Sequence, residues 1–535
     1  MTELRSPGVK VIESLLPRDT GTVTTSPAVS VIIGYLQRGP LAPTVVTSWS
    51  QFRSVFGDWY DNPKEPFSPY PQNQVVDGAY QYFSNAPRGG SALYVCRVVN
   101  KTDAAPASFD VVDTTTSLPV GGDNVLFTVQ AASPGAWGNR LAITITPSAQ
   151  PGPEDFDGAE FNWEFSEPSP IKFSMSVYLS GTRSTDLVEQ YSNLTLDTTS
   201  RQYVGNIING ISRYIQVTNV QDNASLWPDA IAASAPASLT GGLDGGTPTD
   251  SDFSDALSRL DSLEQSLTIT APGNPSLTIN GLVAEYCRER GDSFCIIGAE
   301  DSDPVGIPSW AASLSKNAFA GVYYPDIFIP DPQAGPSGIL RRTSNAGAVL
   351  GAFASNDASD GVWRSPAGTS AHLRTASAPT RVLTQTDLEA LNSADAPVNV
   401  IRRVNGVGLC IMGARTLDQR EADRYVGVRR SLSYIQRKLK DLTEFALFEP
   451  NGPDLWREVA TRLENWLGLY FQQGALRGRR EPEAFYVTCD SSNNTAATVQ
   501  AGELHITVGV AIENPAEFII IRLTQSEGSV SVTAA

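Results

Sequence analysis

Histidine is nearly absent: the 535 residues hold two, His372 and His505. HExxH is missing, and no Cys/His cluster has the spacing of a zinc site. Cysteine is sparse as well. Cys96, Cys287, Cys295, Cys410 and Cys489 are scattered and odd in number, with no CxxC pair. That is the pattern of buried reduced thiols, not of a disulfide framework. GxxxxGK[ST] is absent, so there is no Walker-type phosphate loop. Gly368-Thr-Ser-Ala-His372 sets Ser370 near a histidine but lacks the GxSxG elbow, and it reads as a polar loop. Ser355–Gly361 (SNDASDG) has acids, but at the wrong spacing for a calcium loop and with no glutamate at the twelfth position. Gly406-Val-Gly408 is a lone glycine pair beside a turn, a matter of backbone geometry. Apolar runs such as VSVIIGYL are too short to span a bilayer. The opening MTELRSPGVK shows no apolar h-region of a signal peptide. No enzymatic activity, catalytic residue, cofactor or metal site is expected.

What is present is acid, unevenly spread. The net charge of −18 argues against a nucleic-acid or anionic-membrane binder. Residues 101–250 carry six basic and 17 acidic side chains, a net of −11. Residues 413–480 carry 13 basic and nine acidic, a net of +4. The basic excess is either a set of solvated helix faces or a surface for an acidic partner.

A chain of this length exceeds one ordinary core. Strand-like Ala28–Leu36 leads to a short helix around Ser50–Phe56, a helix over Asn73–Ala86 and a strand over Ala92–Val99. The same alternation resumes with a helix over Ser251–Leu263, a strand over Ser266–Ile269, a helix over Leu277–Arg290 and a strand over Ser293–Ile297. This predicts an α/β layer. The interruption has short β-like runs at Asn124–Val129, Arg140–Thr146, Ile171–Leu179 and Tyr214–Val220, with one helix near Ser200–Ile211. Tyr323–Pro330 reads as a buried strand, Asn345–Asp357 as a helix, and Val400–Ile411 as two strands about an Asn-Gly turn.

Tyr425, Val428, Leu432, Ile435, Leu439 and Leu442 recur at steps of three and four, one buried stripe of a helix expected over Asp423–Phe448. Glu449-Pro450-Asn451-Gly452-Pro453 breaks it, and Asn451 or Asp454 is expected to cap the next helix. That helix carries Leu455, Val459, Leu463, Trp466, Leu467 and Tyr470 on one side. The pair reads as a helical hairpin on a small sheet. Arg429, Arg430, Arg437, Lys438 and Lys440 lie mostly off the stripe and are expected to be available to an acidic partner.

The fold class is therefore α+β and multidomain. The expected parts are an arm (1–20), an α/β middle domain (21–100 with 251–365), a mostly β inserted domain (101–250) and a C-terminal domain (366–535). In the arm, Gly8, Val9, Val11 and Glu13 make a lone strand that must pair elsewhere. Near the other end, Ala516–Leu523 is apolar on both faces and needs cover on both. It is either an internal third strand beside Leu504–Ile512 or a strand completed by another chain.

The order of motifs GARTL (413–417), YVGVRRSLSYIQRKL (425–439), FALFEPNGPDLWREV (445–459), GAL, EAFYVTCD and PAEFIIIRL closely resembles the sheath proteins of contractile phage tails. SPGVKVIE (6–13), GYLQRGPLAPTVVTSWSQFRSVFG (34–57), SPGAWGNRL (133–141), LTGGLDGG (239–246) and GVWRSPAG (361–368) extend the resemblance, and 148–175 is the least familiar part. The resemblance implies a subunit that polymerises in helical rings around an inner tail tube and contracts to drive the tube through a cell envelope. It implies partners in the tube, baseplate and tail terminator, with no nucleic acid and no membrane insertion. It implies an inner C-terminal domain, an outer inserted domain, and assembly in the host cytoplasm into a virion tail. Strand exchange would then involve Gly8, Val9, Val11 and Glu13 with Phe518, Ile520 and Arg522. Arg429, Arg430, Arg437, Lys438 and Lys440 would face the tube. A phage-derived injection particle would use the same subunit. A hydrolase or carbohydrate-binding module built on the acidic 101–250 segment is the remote alternative, and it lacks a convergent catalytic set.

Overall fold

The computed structural model describes residues 28–534 except 63, 65–67, 88–90, 113–124, 148–171, 221–234, 300–302, 336–337, 422, 516–520 and 527–528. For 521–534 it describes the backbone alone. Gly8, Val9, Val11, Glu13, Phe518 and Ile520 lie outside the described residues. Contacts divide the chain into two units, Met1–Ile32 with Ser68–Tyr94 and Asp261–Ala535, and Ile33–Phe67 with Val95–Leu260.

The first unit is built on parallel pairing. Val29–Ile32 runs beside strand Leu267–Thr270, followed in order by Phe294–Gly298, Ala320–Tyr324 and Val398–Val404. Gly408–Ile411 closes that edge antiparallel to Val398–Val404. The turn between these two uses Gly406 at φ +78°, the left-handed geometry an Asn-Gly step supplies. FCIIG and AGVYY are buried along most of their length, as parallel strands covered on both faces must be. Helices Gln74–Asn85 and Ala346–Ser359 pack through glycine. A Cβ on Gly347 would sit 2.4 Å from the Gly78 Cα, so only glycine permits the crossing. Helix Leu277–Arg290 has the bounds the sequence predicts, capped by the Ser276 hydroxyl and ended by Gly291 at φ +76°.

The expected single strand over Tyr323–Pro330 is two, Ala320–Tyr324 and Ile327–Pro330. They part at Pro325, which has no amide hydrogen to give to a ladder. Beside it, Asp326 is fully buried and accepts from Tyr70 Oη at 2.8 Å and from Arg342 Nε and Nη2 at 3.1 and 3.0 Å. Burial, and then that carboxylate, push the Tyr70 hydroxyl well above its usual pKa.

The second unit is mostly β. One sheet orders Ile215–Thr218, Val125–Ala131 and Ser108–Val112, and another Ala237–Ser238, Leu141–Pro147, Phe173–Leu179 and Leu187–Leu194. Its core of Phe127, Trp137, Phe173, Met175, Val204 and neighbours runs from Ala107 to Leu239. Ser108–Val112 and Leu187–Leu194 escape the pattern reading because both are half-exposed edge strands, the first only five residues long and the second rich in polar residues. The helix expected near Ser200–Ile211 is one short turn, Val204–Ile208. Arg97 is wholly buried. Its guanidinium donates to the carbonyls of Leu36, Gly39, Gln37 and Pro134, each at 2.7 Å. Burial lowers its pKa to about 10.

Candidate functional site

The basic C-terminal hairpin is where sequence reasoning located contact with a partner. Its first helix is Val426–Thr443, shorter at both ends than expected, and its second is Pro453–Gln472. Gly452 takes the N-cap position and Pro453 opens the helix, so neither Asn451 nor Asp454 caps it. Asn451 instead accepts from Trp456 Nε1 at 2.7 Å and donates to the Glu503 carbonyl at 2.9 Å, tying the interhelical loop to the connection between the two strands of the small sheet. All six positions expected inward on the second helix are buried. Trp466 stacks on Tyr470 at 5.6 Å between centroids, and Trp363 meets Tyr470 edge-on at 5.2 Å. Below lie strands Phe485–Thr488 and Thr507–Val510, an antiparallel pair. Leu504, Ile506 and Val508 join the hairpin's core while His505 is exposed, as alternation predicts.

The five expected tube-facing cations divide. Arg429 and Arg430 are not at the surface: they are 2% and 5% exposed. Arg430 makes a two-pronged pair with Asp357, Nη1 lying 2.9 Å from Oδ1, and its guanidinium sits 4.8 Å over the Phe353 ring. Arg429 lies 3.4 Å from Asp423 and 4.5 Å over Phe319. Arg437 bonds Asp441 at 3.0 Å and comes within 4.0 Å of Asp292 and Glu264. Lys438 reaches Asp441 at 3.4 Å, and Lys440 is exposed. The physical reason is a second buried face. Positions 426, 430, 433 and 437 follow helical spacing too, and this stripe meets acids of the same unit. The signal was available in Gly427, Ser431 and Ser433, small residues that permit close approach. A Cβ on Gly427 would sit 2.7 Å from Ser365 Oγ. Sequence reasoning also passed over Arg477, Arg479 and Arg480, which are exposed after the second helix and in no ion pair among the described residues.

Arg522 lies in strand Ile521–Ser526, which pairs antiparallel with Ser529–Ala534. Among the described residues this pair forms a sheet of its own, separate from Phe485–Thr488 and Thr507–Val510. A lone two-stranded hairpin is at best marginal in water, so it needs further pairing or packing.

The five thiols are buried, and burial raises each pKa, to about 12 at Cys96 and about 11 at Cys489. Asp357 of the SNDASDG segment serves the Arg430 pair at the end of a helix. Among the described residues no three His, Cys, Asp or Glu side chains converge on a possible metal position. Among the same residues no helix is long and apolar enough to cross a membrane.

No protein-family model matches the chain, and no curated protein does. Solved structures do. A sheath complex of an extracellular contractile injection system, PVC, in its contracted state aligns over 98% of this chain and 99% of its own, at 20% identity and TM-score 0.54. The anti-feeding prophage baseplate contains a chain that aligns over 98% and 100%, at 18% identity and 0.55. A sheath tail protein of Listeria innocua aligns over 96% of each chain, at 12% identity and 0.58. The mixed α and β fold of this chain, with several sheets, is similar to that of those proteins over the aligned 96–98% of its length.

Proposed function

We propose that this chain is the structural subunit of a contractile tail sheath. It polymerises helically around an inner tube and contracts to drive that tube through a target envelope. The observation that carries the reading is the coextensive match: almost the whole chain superposes on almost the whole of proteins described as sheaths, with little left over for another activity. The ordered motifs at 413–523 support the same reading from the sequence side. The free energy of contraction would be stored during assembly, so no nucleotide or cofactor enters the scheme.

Within this reading 1–20 is an arm, 21–100 with 251–365 the middle domain, 101–250 the outer domain and 366–535 the inner domain. Gly8, Val9, Val11 and Glu13 pair with a neighbour's strands, as do Phe518, Ile520 and Arg522. A main-chain hydrogen bond nets only about 1 kcal/mol, but arms repeated over many subunits keep a lattice connected while rigid bodies slide. With Arg429 and Arg430 occupied inside the subunit, contact with an acidic tube falls to Lys440 and to Arg477, Arg479 and Arg480, with Lys438 and Arg437 at the margin. Baseplate and terminator cap the polymer, which assembles in the host cytoplasm. The same subunit serves an infectious phage or a phage-derived particle, and capsid and terminase genes beside its own would mark the phage.

Negative-stain microscopy of the full chain, with and without its tube protein, tests the proposal. Rings or tubes are expected. A chain that stays monomeric at every concentration and with the tube present would overturn it.

A further inference from the structure

The loop joining the two hairpin helices presents an aromatic ring to solvent. Phe448 is 89% exposed, and its backbone sits at φ +68°. That left-handed geometry is an outlier for a bulky side chain and strains the backbone. The loop holds it there. Leu447 N donates to the Glu444 carbonyl at 3.2 Å and Glu449 N to the Ala446 carbonyl at 3.3 Å, while Asn451 is pinned on its far side. Glu449 beside it is exposed and in no ion pair among the described residues. An isolated subunit gains nothing from this arrangement: asparagine or glycine would relieve the strain, and the ring is left in water.

The same unit carries a complementary hollow. A recess of about 470 Å³ is lined by Pro87, Ser355, Ala358, Ser359 and Arg374. Arg374 is exposed and in no ion pair among the described residues. Its guanidinium offers both a cation for a carboxylate and a flat face for an aromatic ring. The recess adjoins Asp357, the partner of Arg430. From Arg430 to the end of the helix at Thr443 is about 20 Å at the usual rise per residue, and Phe448 lies beyond. Knob and recess therefore sit far apart on one unit. Complementary patches placed so make a head-to-tail contact, the kind that propagates into rings or open helices.

We infer that Phe448 and Glu449 of one subunit seat in the Pro87–Ala358–Arg374 recess of a second copy of this chain, the ring against Pro87 and the Arg374 face and the carboxylate on the Arg374 charge. This contact rests on the sheath reading, in which copies pack in a helical lattice.

The test measures the critical concentration for assembly of the full chain by sedimentation, alongside Tm of the unassembled subunit. Phe448→Ala should raise the critical concentration at least roughly tenfold, as loss of a buried aromatic anchor does. Phe448→Asn should weaken assembly equally while raising Tm, because asparagine tolerates the left-handed backbone. Arg374→Glu and Glu449→Arg should each weaken assembly, and the double charge swap should restore it. With Phe448→Cys and Ala358→Cys in one chain, oxidation of the assembled form should give a ladder of cross-linked multimers, since the native thiols are buried. Normal assembly by the Phe448→Ala chain would overturn the contact alone. So would a charge swap without rescue, or a polymer of the double-cysteine chain that gives no ladder. A wild-type chain that never polymerises would overturn the sheath reading and this contact with it.

Discussion

Two buried arginines do opposite kinds of work. Among the described residues Arg97 has no acid within hydrogen-bond reach; it donates to four main-chain carbonyls, two of them fully buried, that would otherwise lose a donor. Lysine has a point charge and cannot span that fork of acceptors. Arg97→Lys should therefore lower stability by about 2–4 kcal/mol, read as an earlier urea midpoint with an unchanged slope. An unchanged midpoint would mean that water replaces the guanidinium at no cost. Arg430 is instead a charge neutralised by Asp357. Asp357→Ala leaves the cation buried alone and should cost about 3–5 kcal/mol. Arg430→Met combined with Asp357→Leu should recover most of that loss, because an apolar pair of similar volume often serves as well. Lys440→Glu, at an exposed position, should stay within about 0.5 kcal/mol of wild type. Denaturant titration of the four variants checks the ranking. The thiols give a third residue-scale expectation. At pH 8 a thiol reagent should label the native chain hardly at all, and all five cysteines once it is unfolded. Rapid native labelling would contradict the burial.

At the scale of elements, the hairpin is the clearest case of what patterning conveys. The second helix buries one apolar side, so its stripe of Leu455, Val459, Leu463, Trp466, Leu467 and Tyr470 was legible, and only Trp456, buried beside it, escaped the pattern. Leu467→Ala should cost about 2–5 kcal/mol, whereas Leu469→Ala, at a half-exposed position, should cost little. Equal losses would mean that the hairpin packs differently from this structure. The first helix faces two cores, and patterning reported only one. Its second face is polar, satisfied by Asp357 and Asp292, and hydropathy does not see a buried ion pair. Those acids lie far away in sequence, so no local signal joins them to Arg430 or Arg437. The parallel strands read well because covered faces leave continuous apolar runs. Edge strands Ser108–Val112 and Leu187–Leu194 read poorly because a half-solvated edge carries polar residues. The basic excess assigned the candidate surface to this hairpin, while which of its cations stay exposed depends on tertiary pairing.

For the whole molecule, the test is whether the β-rich insertion can be removed. Among the described residues the apolar side chains of its core all lie between Ala107 and Leu239, with Arg38 from outside that span packed over the Trp137 and Tyr214 rings. The two ends of the segment also lie side by side. Lys101 N donates to Asp252 Oδ1 at 3.2 Å, and Asn100 Nδ2 donates to the Thr247 carbonyl at 3.2 Å. A linker of about four residues, an ordinary loop length, could therefore join Asn100 to Ser251 in place of 101–250. The excision removes the Pro134 carbonyl held by Arg97, the Trp137 and Tyr214 rings beneath Arg38 and the Arg140–Asp61 pair, and leaves the Leu36, Gln37 and Gly39 carbonyls on Arg97 and Asp61 beside Arg38. Together these losses should cost about 2–4 kcal/mol, less than the stability of an ordinary domain. The shortened chain should show one cooperative thermal transition, slightly earlier than that of its counterpart in the full chain. If 101–250 is an outer domain, the shortened chain should also still polymerise, into tubes of smaller outer diameter and unchanged bore. Loss of every cooperative transition would mean that the segment shares a core with the rest. A folded product whose tubes keep their outer diameter would put the insertion somewhere other than the outside of the assembly.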